Sequence, residues 1–220
     1  NHLQNTPWVV NQPVLQTLSD IWEDNIQIGS LPAKEDEELP PLTDEMKEDP
    51  DQLKMWKRRA AQVYEHNAST KSRRLLVMNT LMMAKKYQGK RLFLPHQCDF
   101  RGRAYAIPAY LNHMGPDFSK GLMQFASAET VTSDDQLKWL HIHGANTFGI
   151  KGTYDERIAW TEENKERIIR LADDFKSELD FLNEADETFQ FIAYAHELKR
   201  LHNTKGKFET TLPCQMDGTN

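Results

Sequence analysis

The sequence predicts an α+β protein, mostly helical. Three observations carry that reading. Apolar residues recur at helical spacing from Val14 to Trp22 and through Trp56, Ala60 and Val63. The strand-like runs are few and short, each bounded by Gly, Pro or charged residues. Hydrophobic residues make up 39% and charged residues 27% of the 220 positions, as in ordinary globular chains with room for one large domain or two small ones.

The elements follow in order. Trp8, Val9, Val14, Leu15, Leu18, Ile21 and Trp22 form an aromatic-aliphatic pattern, with a short helix starting near Pro13. Gly29-Ser30-Leu31-Pro32-Ala33 breaks the chain. Between Glu35 and Asp51 the acids are opposed only by Lys34 and Lys47, and prolines intervene, so this segment reads as an acidic, solvated connector. From Lys54 to Arg91 the sign reverses, and Glu65 is the only acid. Polar residues His66–Ser69 divide that run, which predicts an antiparallel helical hairpin with basic outer faces. Met78, Met82 and Met83 are expected in the core. Leu92–Pro95 and Ala104–Ile107 read as strands flanking the loop His96–Arg103. Helices are predicted near Ser133–Phe148, Asp155–Leu171 and Asp186–His202, the first capped at Ser133-Asp134-Asp135. Phe208–Met216 reads as a strand running into Asp217-Gly218, with sheet neighbours expected downstream.

Composition excludes some classes of function. No apolar run reaches the roughly 18 residues that span a bilayer. Cys98 and Cys214 belong to no CxxC pair, so neither a disulfide framework nor a zinc site is expected, and a reducing cytoplasm is the natural compartment. The opening Asn1-His2-Leu3-Gln4 has no Met and no signal-like core, and reads as an excerpt from a longer gene product. A net charge of −6 argues against a polyanion partner on average, but the one-signed run Lys54–Arg91 favours one locally.

Two local patterns carry chemistry. In Asp99-Phe100-Arg101-Gly102-Arg103-Ala104-Tyr105 a glycine lets the backbone turn while two guanidinium groups project outward. Arginine suits phosphate because its planar fork donates two parallel hydrogen bonds. Asp99 could orient an arginine, and Tyr105 could stack on a base or sugar; a surface loop with an Asp–Arg ion pair is the plainer alternative. In Leu212-Pro213-Cys214-Gln215-Met216-Asp217-Gly218-Thr219, a strand ending in Asp-Gly sets a carboxylate where a hard cation could be held. Asp-Gly after a strand also serves as an ordinary turn. His141 and His143 point to different helix faces and make a poor metal pair, one packed or hydrogen-bonded and the other solvated. The remaining histidines show no ligand spacing.

In combination these motifs resemble the single-subunit RNA polymerases of bacteriophages and mitochondria. Asp99–Tyr105 is similar to that family's DxxGR motif, Trp139–Asn146 to its WLKIHGAN-like helix, and Asp217-Gly218-Thr219 to the start of polymerase motif A. Gln4–Trp8, Trp56–Ala61, Lys71–Arg74, Leu111–Gly115 and Lys120–Leu122 match in the same order. The resemblance implies part of a right-hand polymerase, the thumb and the first part of the palm. Residues 1–30 would end the N-terminal domain, 31–90 would be the acidic connector and basic helical thumb, and 91–220 the palm through the start of motif A.

The resemblance also implies roles. Asp217 would be catalytic and, with the Gly218 carbonyl, would bind two magnesium ions shared with a partner part. Asp99, Arg101, Arg103, Tyr105, Arg73 and Arg74 would contact template or hybrid, and Lys151 the nucleotide. The family's motifs B and C are absent from these residues. The missing part is therefore expected either on a second polymerase chain, forming a heterodimer, which is the sharper version, or on the rest of one longer polypeptide; DNA template, RNA transcript and ribonucleoside triphosphates are the other expected partners. An accessory promoter-recruitment factor is left open, no membrane is expected, and the compartment is the host cytoplasm. The implied reaction is DNA-directed RNA synthesis. The alternative is a non-catalytic nucleic-acid-binding subunit, and a DNA polymerase is a nearer competitor that the DxxGR-like and WLKIHGAN-like segments disfavour.

Overall fold

The computed structural model describes residues 2–215. In chain order the elements are α1 (His2–Asn5), β1 (Pro7–Val10), α2 (Gln12–Glu23), α3 (Asp44–Glu48), α4 (Pro50–Tyr87), β2 (Leu92–Phe93), β3 (His96–Cys98), β4 (Ala104–Ala106), α5 (Asp117–Gly121), β5 (Met123–Phe125), β6 (Glu129–Val131), α6 (Asp134–Phe148), α7 (Tyr154–Glu163), α8 (Lys165–Asp173), a 3-10 turn (Phe175–Glu178), α9 (Leu179–Asn183), α10 (Thr188–Asn203) and β7 (Phe208–Thr210). The chain is thus α+β and mostly helical. It divides into two compact units, Asn1–Ser30 with Thr80–Asn220, and Leu31–Asn79.

The larger unit is organised around α10, whose Phe189, Phe191, Ile192, Tyr194, Ala195 and Leu198 are fully buried. It packs against α2, α5, α6 and α8. Phe148 sits at the centre of an aromatic cluster, with ring centroids 4.6 Å from Trp160, 4.7 Å from Phe181 and 5.0 Å from Phe191. Offset and edge contacts of this kind add to the area they bury. Gly144 of α6 lies directly on Tyr194: a Cβ there would come within 2.2 Å of the ring, so only glycine lets the two helices approach this closely. The start of α10 is capped from outside its own sequence. Buried Asp117 accepts from the backbone N–H groups of Phe189 (2.7 Å) and Gln190 (3.1 Å). Burial outweighs those donors and pushes its carboxyl up to about 6.

The strands make three small antiparallel sheets among the described residues: β2-β1-β5, the hairpin β3-β4, and β6-β7. Trp8 pairs with Leu92 on one side and Phe125 on the other. The predicted strand Leu92–Pro95 is therefore only Leu92–Phe93, and it joins β1. The partner of Ala104–Ala106 is instead His96–Cys98, within the expected loop. The strand expected over Phe208–Met216 spans Phe208–Thr210, and its neighbour is the upstream Glu129–Val131.

In the smaller unit, and on through Tyr87, the basic run forms one continuous helix rather than a hairpin. No Gly or Pro lies between Pro50 and Gly89, and His66–Ser69 are polar but helix-compatible residues, so nothing forces a turn. Met78 and Met82 are exposed, not core. The span Asp155–Leu171 is two helices, parted at Asn164, whose side-chain amide and backbone N–H both donate to the Trp160 carbonyl. The Ser133 cap forms as expected, its side chain accepting from Gln136 N–H at 3.4 Å.

Candidate nucleic-acid interface

The tip between β3 and β4 is shaped by Asp99. Its Oδ1 accepts from the backbone N–H groups of Arg101 and Arg103, both at 2.9 Å. The Asp99 backbone donates to Arg103 O and accepts from Gly102 N–H, with Gly102 at φ 78°, the left-handed region. Asp99 thus holds the backbone on which the arginines stand and does not hold their guanidinium groups. Among the described residues neither guanidinium has a carboxylate partner. Arg101 lies over the Phe100 ring, 5.2 Å from its centroid, and Phe100 is itself 92% exposed. Arg103 and Tyr105 also face solvent. Two cationic forks and two aromatic faces are displayed on a fixed turn, a combination that meets phosphate and base or sugar together.

The same hairpin borders an open groove of about 740 Å³, lined by His96, Ala104, Trp8, His113, Lys120 and Pro213–Gln215 among others. Trp8 and His113 stack with centroids 4.8 Å apart and planes 7° apart, and His96 lies 5.3 Å from His113. Burial, and then the neighbouring His96, hold the His113 imidazole below its ordinary pKa, so it is neutral near pH 7. Trp8 Nε1, His96 Nε2 and His113 Nδ1 have no hydrogen-bond partner among the described residues. Asn112 and Ser119 fix the loop that presents His113: Ser119 Oγ meets Asn112 N and O, and Asn112 Oδ1 accepts from Met114 N–H. Gln215 closes one end, its amide donating to the His113 carbonyl at 3.2 Å. Sequence reasoning missed this cluster because positions 8, 96 and 113 share no spacing.

The other expected site residues are dispersed. Lys151 is exposed in the loop between α6 and α7, beside the Thr153–Glu156 capping box. Arg73 donates to Thr70 Oγ1 at 3.3 Å and is otherwise exposed. Arg74 turns to the connector, donating to the Lys34 carbonyl and pairing with Asp36. His141 and His143 are both buried, so neither is solvated. His141 Nδ1 meets the Tyr194 hydroxyl at 3.2 Å, and burial holds the His143 ring down to about 4. Asp217 and Gly218 lie outside the described residues. Among those residues no group of three or more His, Cys, Asp or Glu side chains could hold a metal ion. No described helix is long and apolar enough to cross a membrane.

The described residues thus make an α+β, mostly helical chain with an arginine-tipped hairpin beside a groove. The family description that matches is DNA-dependent RNA polymerase, over residues 131–220. Similarity to curated proteins extends over all of it. The chain is 35% identical to T7 RNA polymerase of Escherichia phage T7 over 225 residues, 100% of this chain and 25% of that protein. It is 33% identical to the DNA-directed RNA polymerase of Enterobacteria phage T3 over 223 residues, again 100% and 25%. With the mitochondrial DNA-directed RNA polymerase of Neurospora crassa it shares 32% over 221 residues, 99% of this chain and 15% of that protein. The chain belongs to the phage-type RNA polymerase family, and it spans about a quarter of the length of the phage relatives it matches.

Proposed function

We propose that this chain forms the thumb and the first part of the palm of a DNA-directed RNA polymerase. Residues 1–30 then end the N-terminal domain, 31–90 form the connector and thumb, and 91–220 begin the palm. Template-directed addition of ribonucleotides to an RNA 3′-hydroxyl is the reaction. The observation that carries this reading is the hairpin tip, where Arg101 and Arg103, with no carboxylate partner among the described residues, stand beside Phe100 and Tyr105 on a turn fixed by Asp99. Arg101 and Arg103 bind backbone phosphates of template or hybrid, and Tyr105 stacks against them. Arg73 adds a phosphate contact, Arg74 holds the connector instead, and Lys151 reaches the triphosphate of the incoming nucleotide.

Asp217 is assigned as the catalytic carboxylate, with magnesium bound through it, the Gly218 carbonyl and a carboxylate of a second polymerase part that carries motifs B and C. Bound there, the ions supply charge neutralisation at the reacting phosphates. The support within this chain is that Gln215, two positions earlier, lines the groove and is tied to the His113 carbonyl. A heterodimer in the host cytoplasm, with DNA template, RNA transcript and ribonucleoside triphosphates as its ligands, completes the proposal.

The test is Asp217→Asn in the assembled enzyme. RNA synthesis is expected to be abolished while template affinity is retained, and full activity in that variant would refute the assignment. Magnesium-dependent crosslinking of a nucleotide near Asp217 separates this reading from a non-catalytic nucleic-acid-binding subunit.

A further inference from the structure

Within Leu31–Asn79, the acidic connector is not a free linker. It lies lengthwise on one face of α4 and is fastened at three points. Arg74 takes the Lys34 carbonyl and the Asp36 carboxylate. The Asn67 side-chain amide holds both backbone groups of Glu37, accepting from its N–H at 2.8 Å and donating to its carbonyl at 2.9 Å. The Trp56 indole N–H donates to the Pro40 carbonyl at 2.8 Å. Positions 56, 67 and 74 fall within roughly 20° of one another at 100° per residue, so the three fastenings share a helix face and the segment runs antiparallel to α4. Between them Glu35, Glu37 and Glu38 stay exposed, and Glu37 and Glu38 line a surface hollow with Arg59.

A tethered acidic segment can serve packing alone. The distribution of positive charge around α4 says more. Arg59, Lys71 and Arg74 lie on or beside the covered face, whereas Lys54, Lys57 and Arg58 lie roughly 100–200° round the helix from it. Those three are exposed and carry no ion pair among the described residues. A polyanion nearing the covered face meets glutamates before it meets arginine, well inside a screening length of about 8–10 Å.

We propose that the strap Lys34–Pro40 is a fixed electrostatic guard. It occupies the side of α4 that carries Arg59 and Arg74 and confines a nucleic-acid backbone to the side that carries Lys54, Lys57 and Arg58. The proposal rests on the reading of this unit as a nucleic-acid-binding element.

The experiment measures binding of the full chain to a fluorescein-labelled RNA–DNA hybrid and to a single-stranded oligothymidylate across a salt series. The release variant Asp36→Asn/Asn67→Ala loosens the strap and frees Arg74, the half-buried arginine that the strap engages. Its log K against log salt plot is expected to steepen by roughly 0.7–0.9, as one added phosphate contact requires. The variant Glu35→Gln/Glu37→Gln/Glu38→Gln keeps every fastening and alters only exposed side chains. It is expected to bind roughly threefold or more tighter at about 50 mM salt, with the gain fading as screening grows. Unchanged slope in the first and unchanged affinity in the second would overturn the guard; should the first fail to fold by circular dichroism, the second decides alone. Lys54→Ala/Lys57→Ala/Arg58→Ala tests the underlying reading. It should flatten the slope by roughly 2.1 to 2.7, and no change there removes nucleic acid from this helix and the guard with it.

Discussion

Asp99→Ala isolates the contribution of the turn to nucleic-acid binding. The substitution deletes one acceptor that serves two backbone N–H groups, those of Arg101 and Arg103 at 2.9 Å. Each such bond contributes about 0.5–1.5 kcal/mol net. Asp99 is only partly buried, so the low end applies and the loss is about 1–2 kcal/mol. That loss is local. Asp99 lies at a hairpin tip, and no side chain of the larger unit's core touches its carboxylate among the described contacts. The binding-competent turn falls in population, and affinity falls by the same fraction. Roughly 1.4 kcal/mol is tenfold, so the hybrid's Kd should rise about five- to thirtyfold while the melting temperature moves little. Asp99→Asn keeps an oxygen in place and should retain most of the affinity. Anisotropy titration against a labelled hybrid, beside thermal melts, measures both quantities. If the alanine variant binds as tightly as the parent, the turn does not position the arginines. If the asparagine variant loses as much as alanine, the charge matters and the acceptor geometry does not.

Other outcomes follow from the core. Gly144→Ala drives a methyl within 2.2 Å of the Tyr194 ring, and overpacking of this kind should cost about 3 kcal/mol or more, read as a lowered urea midpoint. His143 titrates at about 4 in the fold against 6.5 when free. The unfolded chain therefore takes up its proton first, and stability should fall as pH drops through that window, by about 3 kcal/mol in all. His143→Gln should flatten that loss in urea melts at graded pH. Asp117 acts in the opposite sense: its carboxyl is raised from 3.8 to about 6. Its contribution is present at low pH and lost as pH rises through that window, so Asp117→Asn should steepen the loss on acidification.

What could be read from sequence was mostly what depends on neighbours along the chain. The Ser133 cap, the Gly102 turn and the start of α2 near Pro13 are set within a few residues, and they formed where local chemistry demanded. The hairpin expected between Lys54 and Arg91 did not form. The residues at 66–69 carry only modest helix penalties, well below those of Gly or Pro, and the absence of Gly or Pro was the better signal. The length of the strand at Phe208 and its partner were misjudged because pairing with Glu129–Val131 is a tertiary fact that local pattern does not encode. For the same reason neither Asp117 as a cap for α10 nor the grouping of Trp8, His96 and His113 was foreseeable. Arg74 stood in a basic run like its neighbours, and only the fold reveals its engagement with Asp36. At the hairpin tip the sequence showed that a turn forms around Gly102, but not that the Asp99 carboxylate holds the backbone rather than an arginine side chain.

The unbroken course of α4 has a consequence for reach. At 1.5 Å per residue, Lys54 and Arg73 are separated by about 28 Å along the axis, whereas a folded-back pair of helices would have gathered such charges into one patch. A strand with phosphates about 3.4 Å apart needs roughly eight nucleotides to touch both. If this helix binds nucleic acid as proposed, short oligomers engage only a fraction of the positive row, and attachment grows stepwise with the length of the polymer laid beside it.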